Sequence, residues 1–475
     1  MRIIASALLV GAVVVASGSV PAAGDTQQAA AVPTYTKDVA PILFKNCTSC
    51  HRPGEVAPMT LQSYEDTRPW ARAIKQKVVR REMPPWFADP NHGQFKNDRL
   101  LSTADIDTIA KWVDAGAPRG NPTDMPALPT FAEGWQGGEP DHVFIMPEFK
   151  VPAEGEIPMM NFWVQNPLKE DVFVEALEMR PGNPSVVHHG RIDVVALPPG
   201  HTVENGILMG PDGKPAFDPA GGVRDTADAT GQRFQLIAFV PGRGYERYPP
   251  GTGKRISAGL WLRFNLHYQA KGVADTDATK LGIWFSKVPV HHEMFTRDVG
   301  MSLPTEAQFT TYVQNQKDLV IGHRTAQDDT DKIERLPNIP AYADNWRLAA
   351  VTAVTEPITV HAFWPHMHLR GKDMKIIATF PDGREETLLL VPKYDFNWQL
   401  QYDLATPLKV PAGSTLTAIG HYDNSLNNRY NPAPDREVYW AEQSWDEMFS
   451  PFIEYTVDSQ TVAVPAAKAP TQQPR

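Results

Sequence analysis

Three stretches near the start of the chain carry apolar residues at helical spacing. Val39, Ile42 and Leu43 share one face behind Thr36, a candidate cap, and Trp70, Ile74 and Val78 recur every four residues. A third stripe, Ile106, Ile109, Ala110 and Val113, begins near Ser102 or Thr103 and stops at Gly116. Residues 35–120 are therefore expected to form a small all-α domain. Residues 121–139, rich in Pro, Gly and small side chains, read as a linker. Beyond it the period changes to two. Leu260, Leu262, Phe264 and Leu266 alternate with Trp261, Arg263, Asn265 and His267, the pattern of a half-buried strand. Met374 to Phe380, the turn Pro381-Asp382-Gly383 and Thr387 to Val391 read as a hairpin.

The 44 prolines spread through such short strands favour antiparallel sandwiches, because proline belongs at edges and turns. A chain of 475 residues exceeds what one core organises, so the expected architecture is multidomain. The all-α domain is followed by two all-β sandwiches, 140–295 and 296–464, and a disordered tail, 465–475.

Arg2, the apolar run Ile3 to Val15 and the small residues around Pro21-Ala22-Ala23 read as a cleaved export signal, 1–23, which predicts a periplasmic or secreted protein. No later stretch is long and apolar enough for a stable membrane span. A net charge of −10 with scattered basic residues gives no nucleic-acid footprint. An oxidising compartment permits disulfides, yet the chain has 2 cysteines, three positions apart.

Those cysteines stand in Cys47-Thr48-Ser49-Cys50-His51. In C-x-x-C-H the two thiols bind haem c covalently as thioethers and the histidine ligates the iron, so Cys47, Cys50 and His51 are the expected haem residues. A thioether is favoured as the sixth ligand of an electron carrier. Met83, before Pro84-Pro85-Trp86, is preferred, with Met59 as its rival. Residues 35–120 resemble small class I-like c-type cytochrome domains fused to exported bacterial enzymes.

Three histidine clusters lie in the β-rich part: His188-His189, His267 and His366-Met367-His368. The two-residue spacing of His366 and His368 places both rings on one face of an extended strand, as a metal needs. Adjacent residues on a regular strand point apart, so His188 and His189 can share a metal only at a bulge or bend. With Trp445-Asp446-Glu447-Met448, these clusters follow in order the ligand pattern of the copper type II, ascorbate-dependent monooxygenases, the family of peptidylglycine α-hydroxylating and dopamine β-monooxygenases. The resemblance covers roughly residues 140 to 460. It includes the strings Leu266-His267-Tyr268, His368-Leu369-Arg370-Gly371-Lys372 and Asp446-Glu447-Met448.

The resemblance implies two jelly-roll-like sandwiches, each with one copper, facing each other across a solvent-filled cleft. It assigns His188, His189 and His267 to an electron-accepting copper, and His366, His368 and Met448 to the copper that binds dioxygen. Three imidazoles suit electron transfer, whereas two imidazoles and a soft thioether favour Cu(I) and leave a position open. The implied activity is C–H hydroxylation of a small molecule with dioxygen. Where the peptide hydroxylase grips its substrate's carboxylate with Arg and Tyr, this chain has Trp364 and Phe452, so a more apolar substrate is expected. The fused haem would stand in for a diffusing reductant, since tethering raises effective concentration, and a periplasmic electron donor is a possible further partner. The alternative is a copper and haem electron carrier without oxygenation. His421 reads as a supporting or structural imidazole, and His291-His292 as surface or loop.

Overall fold

A computed structural model describes residues 32–131, 134–218, 222–223, 233–299, 308–315, 318–325, 338–440 and 443–462. The expected export signal, 1–23, and tail, 465–475, lie outside the described residues. The chain is mostly β, with helices confined to its first part and several small sheets after it.

The helices are Tyr35–Val39, Ala40–Asn46, Tyr64–Thr67, Ala71–Val79 and Thr103–Asp114, besides short turns. They share a core of Tyr35, Val39, Leu43, Ile74, Ile109 and Trp112. Ser102 caps the last helix by accepting from the Asp105 amide at 3.0 Å. Two expectations are corrected. Thr36 is not a cap: the first helix begins at Tyr35 with Thr34 at its N-cap position, and the Thr34 amide donates to the Asp38 carboxylate at 2.7 Å. Trp70 is 44% exposed, and Ala71 takes the buried position beside Ile74 and Val78. A large indole at that point would overfill the small helical core, whereas a methyl group fits.

In the first sandwich one sheet runs His142–Ile145, Lys280–Phe285, Val172–Arg180, Thr252–Ile256 and His292–Glu293. The other runs Arg233–Phe239, Val187–Val195, Trp261–Tyr268 and Met160–Gln165. Leu262, Phe264 and Leu266 are fully buried in the core between them, alongside Ile192, Leu281 and Ile283. Arg263 and Asn265, on the opposite face, are also buried, at 1% and 3% exposure. Arg263 is neutralised there by Asp193, 3.0 Å away, which also pairs with Arg191 at 3.4 Å.

The second sandwich pairs Phe295–Asp298, Ser450–Val457, Ile358–His366 and Tyr402–Val410 in one sheet. Trp346–Ala353, Thr415–Tyr422, Gly371–Thr379 and Glu385–Val391 form the other. The expected hairpin is present, with Met374 opposite Val391 and Thr379 opposite Glu385. The cores change hands between Met294, which packs in the first sandwich, and Phe295, which packs in the second.

The helical unit is not self-contained. Its segment 86–100 leaves the helices and lies along the second sandwich, where Trp86 and Ala88 join the core and Trp86 packs edge-on against Tyr402 at 4.9 Å. Backbone bonds from Asp89 to Leu390, Lys96 to Asp403 and Ala405 to Gln94 fix it there. The linker also docks at its end, with Trp135 against Trp284 at 6.2 Å.

Candidate metal centre

His189 and His267 face each other on neighbouring strands, but Tyr268 pairs with Val187, so His188 is the extra residue of a β-bulge. The bulge turns the His188 ring to the side that His189 already faces. Gly190 permits it: a Cβ there would meet the Leu266 side chain at 2.5 Å and the Asn265 carbonyl at 2.9 Å. The His188 Nδ1 lies 3.0 Å from that of His189 and 3.3 Å from that of His267. The ligand atoms of all three lie within 4.8 Å of one another.

His366 ends its strand, and His368 follows in irregular extended chain. Between them the Met367 side chain is buried in the core, and the Tyr394 hydroxyl donates to the Met367 carbonyl at 2.7 Å. Alternation thus leaves the two imidazoles together, with ring centres 5.2 Å apart. Glu447 fixes the turn that follows. Its carboxylate accepts from the His368 amide at 2.9 Å and the Arg370 amide at 2.6 Å, and burial pushes it up to about 8. The next residue, Met448, lines one cavity with His366, His368, His189, Arg191, Asn265, Met159 and Trp364. The cavity is small, about 20 Å³.

Among the described residues, the two ligand sets are in contact and not separated by the implied solvent-filled cleft. The sets are contiguous around Phe396 and Gln399. The Phe396 ring centre lies 5.4 to 5.9 Å from those of His188, His189, His267 and His368. Gln399 lies 2.5 Å from the His366 Nδ1 and 3.3 Å from the His189 Nδ1. The loop that carries Met448 also touches both sets, through Ser444 at 3.3 Å from the His267 Nε2 and the Asp446 carbonyl at 3.3 Å from the His368 Nδ1. The polar faces of the two sandwiches meet here, and Asn265 is buried in the shared wall beside Trp364 and His366.

Burial lowers every imidazole in the centre: His267 and His368 fall to about 3, His366 to about 4, and His188 and His189 also lie below the ordinary value. All five are neutral at pH 7, the form that binds a metal. A folded-state value below the unfolded one means that acid drives protons onto the unfolded chain first. Each group therefore costs stability progressively below about pH 6.5. His368→Asn is expected to make the acid-side loss of stability of the metal-free protein shallower by about 1.4 kcal/mol per pH unit. Denaturant titrations between pH 6.5 and 4 measure this, and equal slopes in the two proteins would contradict it.

The remaining predicted residues are placed as follows. Cys47 packs against the helical core, and burial pushes its thiol up to about 12. Cys47 and Cys50 form no disulfide. The His51 Nδ1 meets the Met59 carbonyl at 3.2 Å, so it carries the proton and leaves Nε2 free as a ligand. Met59 packs on the same core as Cys47, whereas Met83 is half-buried just before the segment that docks on the second sandwich. Trp364 and Phe452 are cross-strand partners stacked at 4.9 Å. His421 pairs with Asp373 at 2.7 Å, a structural contact within its sheet. His291 is exposed, and the half-buried His292 faces the Val457 carbonyl at 3.2 Å. Sequence reading missed Phe396 and Gln399, which belong to no motif, and gave Glu447 no role.

The donor sets fit copper. Three imidazoles suit copper or zinc, but a thioether beside two imidazoles selects the softer ion. The C-x-x-C-H segment, with two free thiols and a His51 Nε2 left open, fits a covalent haem.

No protein-family profile and no curated protein matches the chain. Among solved structures it is similar at 9% identity to that of PNGF-II, covering 67% of this chain and 61% of that one with a TM-score of 0.20. A second similarity is to the infectious bursal disease virus Gx strain, at 9% identity over 67% of this chain and 72% of that one with a TM-score of 0.15. A third is to the tandem CBM22 domains of Paenibacillus barcinonensis Xyn10C, at 10% identity over 64% and 78% with a TM-score of 0.12.

Proposed function

We propose that this protein is a copper-dependent monooxygenase that hydroxylates a C–H bond of a small, apolar organic substrate, with electrons supplied through a covalent haem c. One observation carries the reading: a three-imidazole cluster with converging Nδ1 atoms abuts a cavity lined by two imidazoles and a thioether. His188, His189 and His267 would hold one copper, and His366, His368 and Met448 the other. The copper ions would supply one-electron chemistry and dioxygen binding, and the haem one-electron storage. The overall reaction takes the substrate, dioxygen, two electrons and two protons to the alcohol and water.

The chain's own part is to position and to exclude. The hydrogen bonds from the His366 and His368 Nδ1 atoms leave both Nε2 lone pairs free for a metal. The stacked Trp364 and Phe452 supply an apolar, water-excluding surface beside His366 and carry no charge to grip a carboxylate. Arg191 and Asn265 add polar donors to the opposite part of the wall. Contiguity of the two ligand sets also suits the alternative, a non-oxygenating copper and haem carrier, since electrons would cross a single amide.

Elemental analysis of protein matured with haem and copper is expected to return two coppers and one iron per chain. Oxygen-consumption screening with reduced protein should then identify apolar substrates and not glycine-extended peptides. A chain that binds zinc in preference to copper, or consumes no oxygen with any apolar candidate, would sink the proposal.

A further inference from the structure

The haem motif and the three-histidine cluster come from different parts of the chain, and one turn joins them. Strand Arg233–Phe239 pairs with Val187–Val195, placing Phe239 opposite Gly190, the neighbour of His189. The strand leads into Val240-Pro241-Gly242-Arg243, a tight turn closed by reciprocal bonds between Val240 and Arg243 of 3.0 and 2.8 Å. At its tip Gly242 has φ +82°, and a Cβ there would lie 3.0 Å from the Cys50 Sγ and 3.1 Å from the Arg99 Nη1. The Arg99 Nη2 donates to the Gly242 carbonyl at 2.9 Å, and Arg99 stands near the end of the docked segment, just before the helix Thr103–Asp114. No side chain at position 242 separates the haem cysteine from the turn.

We infer that the Val240–Arg243 turn is the contact through which the haem-bearing unit passes electrons to the three-histidine cluster, with Gly242 and Arg99 as positioning residues. The inference rests on the function proposed above. A thioether sulfur at Cys50 would touch Gly242, and the turn leads from there through Pro241 and Val240 to Phe239, the partner of Gly190. The route has two non-covalent steps, the Cys50–Gly242 contact and the cross-strand pairing of Phe239 with Gly190, and is covalent between them and on to His189. The balance is one electron for each transfer: ferrous iron becomes ferric, and Cu(II) at His188, His189 and His267 becomes Cu(I), with no proton moved. A soluble one-electron donor of the ascorbate type restores the iron between transfers.

The test is anaerobic and needs no substrate. Haem in the copper-loaded protein is reduced, and decay of its reduced absorbance is followed together with loss of the Cu(II) paramagnetic signal. Gly242→Val, which adds bulk against Cys50 at a left-handed position, and Arg99→Ala, which leaves the turn intact and removes its clamp, are each expected to slow both signals about tenfold or more. If Gly242→Val does not fold, Arg99→Ala decides. Wild-type rates in a folded Gly242→Val or in Arg99→Ala would overturn the inference while leaving the monooxygenase proposal standing. A wild-type protein whose haem never reduces its copper would instead remove the haem from the proposed function.

Discussion

Met448→Leu is expected to lower product formation about a hundredfold or more, which corresponds to about 2.7 kcal/mol of lost transition-state stabilisation. Leucine nearly matches methionine in volume, so the cavity wall that Met448 shares with His366, His368 and Trp364 keeps its shape. What disappears is the soft donor. Two imidazoles alone bind Cu(I) less well and no longer distinguish it from Cu(II). The three-histidine cluster keeps all of its own donors, so anaerobic reduction of its copper should proceed at the wild-type rate. Copper content, anaerobic reduction and oxygenated product together check this. Product formation within about twofold of wild type would remove the thioether from the ligand set. Unaltered redox cycling with no product from either protein would favour the carrier reading.

The parts of the fold that were legible in sequence are those set by local period. Leu262, Phe264 and Leu266 announce their buried face by alternation, and the Pro381-Asp382-Gly383 turn announces its hairpin. The geometric demand at His188-His189 was legible too, because two neighbours on a flat strand cannot face one ion. The bulge at His188 is how the chain meets it. What could not be read depends on partners remote in sequence. Arg263 and Asn265 carry the polar signature of a solvent face, yet both are buried, Asn265 in a wall completed by Trp364 and Met448 of the second sandwich. Trp86 follows two prolines in what reads as a loop of the helical unit, yet its partner Tyr402 lies more than three hundred positions later. The solvent-filled cleft came from resemblance alone, and the loops bearing Gln399 and Met448 fill that space.

Gln399 is the residue on which both ligand sets depend. It is 2% exposed and holds a φ of 39°, a conformation that costs a non-glycine residue about 1 kcal/mol or more. Its surroundings fix its orientation. The Phe396 carbonyl, 3.0 Å away, can only accept, so the amide nitrogen faces it and the His189 ring, and the amide oxygen faces His366. That oxygen obliges the His366 Nδ1 to carry the proton, leaving Nε2 as the donor to a metal. Gln399→Leu removes both contacts and is expected to weaken copper at the His366 and His368 site about 10- to 100-fold. Gln399→Glu retains an acceptor for His366 but sets an oxygen against the Phe396 carbonyl. It should preserve more of that affinity while lowering stability by about 1–3 kcal/mol. Chelator competition followed by the paramagnetic signal measures the first effect, and denaturant titration the second. Equal copper affinities in wild type and both variants would mean that His366 is oriented by packing alone.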